Sequence, residues 1–296
     1  MNSYKVLLFY KYVEVPNPEK LVEEHLNWCL QNDIRGRVFF AKEGVNGTVS
    51  GTLENIEKYK EHLTGYPEFS DIWFKEDDTD SHAFKKMHVR LKREIVHGDL
   101  EDVKLEHGGK KLSPEELLKF YEEGKEFVIV DARNWYESMI GRFKNAITPS
   151  LKNFREWKKY VDEELIKFKD KPVVTYCTGG IRCEKASAYL VEKGFKEVYQ
   201  INGGIINFIK KFPDTYWEGG MFVFDERRVV LPNSKPELKH IAKCYFCGEP
   251  TSYYINCHNV DCDRIIVCCH ECKVKNEYCC SDECRKSPNK RKVYHG

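Results

Sequence analysis

The first 95 residues alternate between short apolar stretches rich in β-forming side chains and stretches with helical spacing. Tyr4–Tyr12 predicts a strand, and Pro18 opens a helix over 19–31, where apolar side chains recur at the spacing of one helix face. Further elements are expected at 37–41 and 45–50 (strands), 53–63 (a helix) and 87–95 (a final strand). This order predicts a ferredoxin-like α+β domain.

A second alternating region follows a charged, glycine-containing stretch at 98–111. Ser113-Pro114-Glu115-Glu116 combines a capping serine, a proline at the first helical position and early acidic residues, which indicates the start of a helix. Strands are expected at 127–130, 173–176 and 198–201, with helices around 153–168 and over 184–193. Short apolar strands that alternate with helices predict an α/β domain with a parallel sheet buried on both faces.

Beyond Pro213 the regular pattern weakens and cysteine becomes frequent. Short strands are expected at 221–224 and 228–231, a linker at 232–236 and a cysteine-rich segment at 242–285. The tail from Arg285 to Gly296 carries five Lys or Arg residues and no acid, which predicts a mobile segment. The expected domains are 1–97, 112–220, and 221–296 with the linker, the cysteine-rich module and the basic tail.

Size and charge limit the classes of function. The chain has 296 residues, enough for two or three domains. Its net charge of +1 excludes a generally basic nucleic-acid coat, so any attraction to RNA must come from local clusters. No stretch approaches the ~18–20 apolar residues that span a bilayer, and the amino terminus does not resemble a signal peptide. No membrane partner and a cytoplasmic location are therefore expected.

Cys177 lies in the most informative stretch, Tyr176-Cys177-Thr178-Gly179-Gly180-Ile181-Arg182-Cys183. A strand ends at Tyr176 and a helix begins near Arg182, so the thiol faces a helix amino end, where backbone dipoles lower a cysteine pKa. The loop residues expected to turn their amides inward as an anion-binding nest are Thr178, Gly179, Gly180 and Ile181. Cys177 and the positively charged Arg182 are the candidate catalytic residues, and the sulfur acts as a thiolate or a persulfide.

Two alternatives stay open at this loop. An isolated cysteine beside a glycine turn is more often a small core residue, although the strand, double glycine, arginine and helix in register favour catalysis here. The catalytic interpretation also requires a sulfur within reach of solvent or of a nucleotide. Cys183 is either a resolving thiol that forms a disulfide with Cys177 or a residue that faces the first turn of the helix.

Ten of the thirteen cysteines fall between Cys244 and Cys284. In a reducing compartment such a cluster indicates metal binding rather than disulfides. Two structural zinc ions, each held by four thiolates, are predicted from four pairs at zinc-ligand spacing: Cys244 and Cys247, Cys257 and Cys262, Cys269 and Cys272, and Cys280 and Cys284.

The spacing leaves the pairing of these ligands open. The first pair could share an ion with the third and the second with the fourth, or neighbouring pairs could share one. The choice between Cys268 and Cys269, and between Cys279 and Cys280, is open as well. His258 and His270 are expected to be bystanders.

The last predicted strand of the first domain carries a run of basic residues. Lys86, His88, Arg90 and Lys92 would share one face of it. Such a face could bind an RNA backbone, and a solvated strand edge is the alternative. Lys86, Arg90 and Lys92 are therefore candidate RNA contacts.

The turn from Cys177 to Arg182, called the thiol loop below, resembles the corresponding loop of the rhodanese family. The similarity extends to Asp131-Ala-Arg-Asn134, Glu137, Gly141-Arg-Phe-Lys-Asn-Ala146 and Gly203-Gly204. The resemblance implies a rhodanese-like fold for the central domain and makes Cys177 the residue that carries sulfur as a persulfide. Arg142 stands where the family usually has histidine, and this added charge makes it a further candidate RNA contact. Asp131, Arg133 and Glu137 of these motifs are interpreted as scaffold rather than as catalytic residues.

Motifs in all three parts of the chain resemble the rhodanese-domain tRNA uridine hydroxylases: Gly44-Val-Asn-Gly-Thr-Val-Ser-Gly51, the thiol loop, Phe222-Val-Phe-Asp-Glu-Arg227 and Cys244-Tyr-Phe-Cys-Gly-Glu-Pro250. The resemblance covers nearly the whole chain. It implies oxygen-dependent hydroxylation of the wobble uridine of tRNA at C5, which gives 5-hydroxyuridine. It also implies that Cys177 is required, that molecular oxygen is the co-substrate and that the tRNA anticodon region is the partner.

The residues themselves carry no evident flavin, nicotinamide or haem fingerprint. His97-Gly98-Asp99 has the spacing of a facial-triad iron site, but one such tripeptide is expected by chance among ten histidines. One rival function is a sulfurtransferase or persulfide carrier that acts on a protein or small-molecule acceptor. Another is a catalytically idle RNA-binding scaffold.

Overall fold

The computed structural model describes residues 3–213, 215–230 and 240–292. The first region contains β1 (Tyr4–Tyr12), α1 (Pro18–Gln31), β2 (Arg35–Ala41), β3 (Gly44–Thr52), α2 (Leu53–Thr64), β4 (Phe74–Thr79) and β5 (Met87–Leu91). The second contains β6 (Lys110–Leu112), α3 (Pro114–Glu122), β7 (Val128–Asp131), α4 (Trp135–Ile140), β8 (Gly141–Phe143), α5 (Trp157–Tyr160), β9 (Pro172–Tyr176), α6 (Ile181–Glu192), β10 (Glu197–Ile201), α7 (Gly204–Lys211) and β11 (Trp217–Gly219). The third contains β12 (Met221–Phe222), β13 (Val229–Val230), β14 (Tyr254–Asn256), β15 (Ile265–Val267), α8 (His270–Lys275) and α9 (Asp282–Lys286).

The first region confirms the ferredoxin-like prediction and adds one strand to it. Its sheet has the order β4-β1-β3-β2-β5, in which β1 pairs antiparallel with β3 and β4, and β5 lies parallel to β2. The strand that completes the ferredoxin-like pattern is β4, whereas the predicted strand at 87–95 is the added edge strand β5. The sequence conceals β4 because three of its six residues are acidic, and acidic residues are depleted in strands.

The two faces of this sheet have different partners. Leu7 and Phe9 of β1 lie in the buried core that the sheet forms with α1 and α2. Leu8, Tyr10 and Tyr12 point to the opposite face, because successive residues of a strand point to opposite sides. That second face packs against the thiol loop and α6 of the second region through these three side chains.

The second region confirms the prediction of a parallel α/β domain. Its four strands run parallel in the order β6-β10-β9-β7. Val173 of β9 packs in one core with Trp157, and its neighbour Val174 packs in another core with Phe208. The sheet is therefore buried on both faces. The helix predicted at 153–168 forms as consecutive short turns of 3-10, α and π type.

The third region folds around the cysteine-rich segment, and it corrects the prediction of a mobile tail. Arg285 and Lys286 belong to α9. Arg291 donates a hydrogen bond to the carbonyl of Cys257 at 2.6 Å and forms an ion pair with Asp263 at 2.7 Å. These contacts hold the tail on the module as far as Arg291. The predicted linker at 232–236 and the last four residues lie outside the described residues.

Within the described ranges, no helix is long and apolar enough to cross a membrane. The longest of them, α1, has 14 residues.

Candidate active site and metal-binding module

Cys177 directly follows β9 and precedes α6, at the carboxyl edge of the parallel sheet. Gly180 adopts a φ of 103°, a left-handed conformation that favours glycine. Its N–H donates a hydrogen bond to the Cys177 sulfur at 3.2 Å. A Cβ at Gly180 would lie 2.8 Å from the hydroxyl oxygen of Tyr10. Both the backbone and the packing therefore require glycine here.

The surroundings of Cys177 favour its thiolate form. Burial raises the pKa of this thiol, but it is outweighed by a hydrogen bond from the Cys183 thiol, the charge of Arg182 and the backbone N–H groups of both residues, which together lower the pKa to about 6. A cysteine with this pKa is mostly ionised at neutral pH. The loop can therefore hold a nucleophilic sulfur.

Arg182 is fixed by a buried acid. Its two terminal nitrogens donate to the two carboxylate oxygens of Glu137 at 2.6 and 2.8 Å, and Glu137 has no exposed surface. This bidentate pair holds the guanidinium in place, and the charge of Arg182 helps to lower the pKa of Cys177. Asp131, the last residue of β7, and Arg133, in the loop after it, form a second ion pair at 2.7 Å, and both residues are fully buried.

Cys183 lies in the first turn of α6 and also contacts Cys177. Its pKa is raised well above the usual thiol value, first by burial and then by the hydrogen bond and charge of Cys177. Cys183 is thus the protonated partner and Cys177 the ionised one. Both thiols are free, and a disulfide between them stays a prediction.

Cys177 is buried, but it lies in the wall of a cavity. The residue has no solvent-exposed surface, and the adjoining cavity has a volume of about 490 Å³, within the range of small-ligand sites. The loop residues Thr178, Gly179, Ile181 and Arg182 also line this cavity. Cys177 and its loop therefore border a space that can hold a ligand.

The first region covers the thiol loop, a relationship that the sequence analysis did not predict. Leu8 packs so closely on Gly179 that an added Cβ there would lie 2.5 Å from a Leu8 methyl carbon. Tyr10 donates a hydrogen bond to Glu184 at 3.0 Å, and Tyr12 donates one to the carbonyl of Ile181 at 3.3 Å. Alternate side chains of β1 therefore hold the first region against the loop and the start of α6.

Lys75 is another cavity residue that the sequence analysis missed. Its ammonium nitrogen lies 4.2 Å from the ring centre of Trp73 and 4.9 Å from that of Tyr10, and it forms no ion pair with any described residue. Burial lowers the pKa of Lys75 to about 8, against the opposing charges of Cys177 and Glu184. Nothing in the sequence distinguishes this lysine from the many others, because it lies on the strand that was not recognised.

The candidate RNA contacts occupy two places. Lys86, Arg90 and Lys92 are exposed on or beside the edge strand β5. The neighbouring strand β2 carries Arg37, which lines the cavity. Arg142 lies apart from them, on β8, which pairs with β11.

The eight candidate zinc ligands form two groups of four. Within each group all four sulfurs lie within 4.8 Å of one another: Cys244, Cys247, Cys269 and Cys272 in the first, and Cys257, Cys262, Cys280 and Cys284 in the second. The first pair therefore joins the third and the second pair joins the fourth. The alternative, in which two pairs that are consecutive in the sequence share one ion, does not match this geometry.

Each group fits a tetrahedral zinc ion. A Zn–S bond of about 2.3 Å separates tetrahedral sulfurs by about 3.8 Å. The sulfurs of Cys247 and Cys269 are 3.8 Å apart, those of Cys262 and Cys280 3.6 Å, and those of Cys280 and Cys284 3.7 Å. Four thiolates leave no open coordination position, so these groups suit a structural ion.

The remaining cysteines of the module are packing residues. The Cys268 thiol donates to the carbonyl of Cys269 at 3.4 Å, and the Cys279 thiol donates to the carbonyl of Cys284 at 3.5 Å. Neither belongs to a ligand group, and neither does His258 or His270.

Three families match successive parts of the chain. They are the UPF0176 acylphosphatase like domain over residues 4–95, the Rhodanese-like domain over residues 113–211 and the Rhodanase C-terminal family over residues 218–285. The chain is also similar to the solved rhodanese-like domain of an Anabaena sp. protein, with 19% identity, a TM-score of 0.32 and coverage of 43% of this chain and 84% of that domain.

Curated relatives match the chain over nearly its full length. The tRNA uridine(34) hydroxylase of Acholeplasma laidlawii is 44% identical over 297 residues, which cover 98% of this chain and 92% of that protein. The protein of the same name from Bacillus cereus is 45% identical over 296 residues, with the same coverage of 98% and 92%. The chain therefore belongs to the tRNA uridine(34) hydroxylase family.

Proposed function

We propose that this protein hydroxylates the wobble uridine of tRNA at C5, in an oxygen-dependent reaction that gives 5-hydroxyuridine. The full-length similarity to proteins named tRNA uridine(34) hydroxylase supports this substrate. The observation that carries the proposal is the position of Cys177, whose pKa is lowered to about 6, in the wall of a cavity of about 490 Å³. This is the volume and chemistry that an attack on a single nucleobase requires.

Cys177 is proposed to act as the nucleophile. C6 of uracil is electron-poor because it is conjugated with the C4 carbonyl, so a thiolate or a persulfide can add there. The addition makes C5 electron-rich toward an oxidant. Molecular oxygen is the proposed co-substrate: C5 bonds one of its atoms, and the other atom leaves as water with two electrons and two protons from a thiol reductant in solution, which is oxidised to a disulfide. Loss of the C5 proton and of the Cys177 sulfur from C6 then restores the C5–C6 double bond and gives 5-hydroxyuridine.

The target base must leave the RNA stack to reach this cavity. Cys177 has no exposed surface, and Leu8 and Tyr10 cover its loop. We therefore expect the first region to shift on the loop when RNA binds. Lys75, with no acidic partner among the described residues, supplies positive charge for the nucleotide inside the cavity.

The anticodon region is proposed to bind in a groove that continues from the cavity. The groove has a volume of about 640 Å³ and runs between the β12–β13 hairpin and the cysteine-rich module. The residues that it shares with the cavity are Arg37, Phe84, Phe224 and Asp225. Its aromatic and basic side chains include Tyr254, Arg228 and Lys273, a combination that binds single-stranded RNA through stacking and phosphate contacts.

The exposed residues Lys86, Arg90 and Lys92 extend the positive surface from Arg37, so we propose that they contact the RNA backbone beside the groove. Arg142 is proposed as a separate RNA contact. Mutation of side chains that contact the RNA phosphates weakens RNA binding and reduces its dependence on salt, without changing which RNA sequences are preferred.

Each cysteine group is proposed to hold one structural zinc ion, which stabilises a module too small to fold on its own core. A reducing, cytoplasmic location keeps such thiols available for metal. We further propose that the chain divides into domains at 1–97, 112–220 and 221–296.

The test is to incubate the purified protein with unmodified tRNA under ¹⁸O-labelled oxygen and to analyse the nucleosides by mass spectrometry. The proposal predicts 5-hydroxyuridine at position 34 that carries the label. The rival sulfurtransferase predicts transfer of sulfur from thiosulfate to cyanide with no change in tRNA nucleosides. That second result would overturn the proposal.

A further inference from the structure

Two polar atoms that belong to cavity-lining residues have no hydrogen-bond partner among the described residues. They are the amide oxygen of Asn134 and the hydroxyl of Thr178. Both atoms are buried, and a buried polar atom without a partner destabilises the folded protein. Unpaired atoms of this kind in a ligand cavity are therefore expected to find their partners in the ligand.

Both residues lie close to the reactive sulfur. Thr178 follows Cys177 directly. Asn134 lies in the loop after β7, which pairs with β9 in the sheet, so the two loops leave neighbouring strands at the same edge. The backbone N–H of Asn134 donates to Glu137 at 3.0 Å, and Glu137 also accepts from Arg182 at 2.6 Å. Asn134 is thus tied to the far end of the thiol loop.

The unpaired atoms complement the hydrogen-bonding edge of uracil. This edge presents one donor, N3–H, between two carbonyl acceptors. The side-chain nitrogen of Asn134 donates to the Tyr136 hydroxyl at 2.7 Å, which leaves its oxygen free to accept from N3–H. The Thr178 hydroxyl can donate to a carbonyl oxygen of the base.

Three other polar side chains around the cavity already form hydrogen bonds. Asn46 donates to the carbonyl of Ile95 at 2.9 Å, and the oxygen of Asn153 accepts from the backbone N–H of Arg155 at 3.1 Å. The hydroxyl of Tyr10 donates to Glu184. Among the polar atoms of the cavity-lining residues, the amide oxygen of Asn134 and the hydroxyl of Thr178 are the ones that are both buried and without a partner among the described residues.

We infer that Asn134 and Thr178 read the hydrogen-bonding edge of the flipped base and select uridine over cytidine, an inference that rests on the proposed function. Cytosine carries an acceptor at N3, which would face the acceptor oxygen of Asn134. A site built to pair with one donor rejects a base that lacks it, because buried groups are then left unpaired.

The test uses anticodon stem–loop RNAs with uridine or cytidine at position 34. Thr178→Val keeps the shape of the side chain without its hydroxyl and should lower kcat/KM on the uridine RNA about 10-fold, whereas Thr178→Ser should stay within about threefold of the wild type. Asn134→Ala, compared in a Cys177→Ala background, should lower the ratio of affinities for the uridine and cytidine RNAs about 10-fold.

Equal kcat/KM for Thr178→Val and Thr178→Ser, or an unchanged affinity ratio in Asn134→Ala, would overturn the inference. The affinity ratio compares two RNAs on one protein sample, so it does not depend on the folded fraction and decides the matter if Thr178→Val fails to fold. Failure of the proposed function looks different, because the wild type would then form no 5-hydroxyuridine while the affinity ratio could still be measured.

Discussion

The hydroxyl of Tyr10 donates a hydrogen bond to the carboxylate of Glu184 at 3.0 Å, across 174 positions of the chain. Tyr10 belongs to the first region, and Glu184 lies in the first turns of α6, just after the thiol loop. Glu184 is also held by Lys111 at 2.8 Å and by Gln200 at 3.0 Å. The sheet of the first region is therefore fastened to the helix that presents Cys177.

Tyr10→Phe should weaken the contact between β1 of the first region, which covers the thiol loop, and the start of α6. Loss of the hydrogen bond should lower the free energy of unfolding by about 1 kcal/mol and speed the reaction of Cys177 with iodoacetamide, which must pass the cover. Tyr199→Phe is the matched control, because Tyr199 makes a bond of the same type to Glu197 at 3.0 Å on the exposed surface. If both variants react at the wild-type rate, β1 does not control access to the sulfur.

The reactivity of Cys177 should depend on pH with a midpoint near its pKa of about 6. The rate of alkylation is expected to rise through this pH and level off at neutrality. An unfolded thiol has a pKa of about 8.5, so the folded state favours the thiolate. This contribution to stability is complete above the unfolded pKa and is lost as pH falls through about 6.

Cys183→Ala removes a hydrogen-bond donor to the thiolate and should move the midpoint upward. Cys29→Ala should leave it unchanged, because Cys29 is a buried thiol in the core of the first region, where burial raises its pKa to about 12. An identical midpoint in the wild type and Cys183→Ala would show that Cys183 does not stabilise the thiolate.

Glu137→Gln should be strongly destabilising. The substitution leaves Arg182, whose side chain is only 11% exposed, beside a neutral partner, and removal of one member of a buried ion pair costs about 3–5 kcal/mol. Glu126→Gln is the control, because the ion pair of Glu126 with Lys171 is exposed and should contribute less than about 1 kcal/mol. Urea denaturation of both variants checks this, and equal midpoints would contradict the structural role given to Glu137.

The two cysteine doublets, Cys268–Cys269 and Cys279–Cys280, provide a matched test of metal binding by the cysteine-rich module. Cys269→Ser and Cys280→Ser should each reduce bound zinc by about one ion per chain and lower the melting temperature, because each removes a thiolate ligand. Cys268→Ser and Cys279→Ser should keep the full zinc content. Elemental analysis of the four proteins measures this, and an equal loss within a doublet would refute the assigned ligands.

The sequence alone predicts a candidate site where all of the residues that indicate it lie close together in the chain. The thiol loop is a strand, a glycine turn and a helix within one short stretch, and the candidate metal ligands come in closely spaced pairs, so both could be predicted. The pairing of these ligands depends on how β14, β15, α8 and α9 fold together, which spacing does not determine.

The relationships that the sequence analysis missed are long-range. Tyr10 and Lys75 reach the thiol only through docking of the first region on the second. Their own neighbours in the sequence give no sign of this contact, and the acidic composition of β4 concealed the strand that carries Lys75. The charges of Arg285 and Arg291 likewise suggested a mobile tail, because their partners lie elsewhere in the module.

Nucleoside mass spectrometry of tRNA treated with the wild type, Cys177→Ala and Cys183→Ala tests whether the Cys177 sulfur is the nucleophile. We expect 5-hydroxyuridine at position 34 with the wild type, none with Cys177→Ala, and a reduced amount at mildly acidic pH with Cys183→Ala. Formation of 5-hydroxyuridine by Cys177→Ala at the wild-type rate would contradict the nucleophilic role of this sulfur.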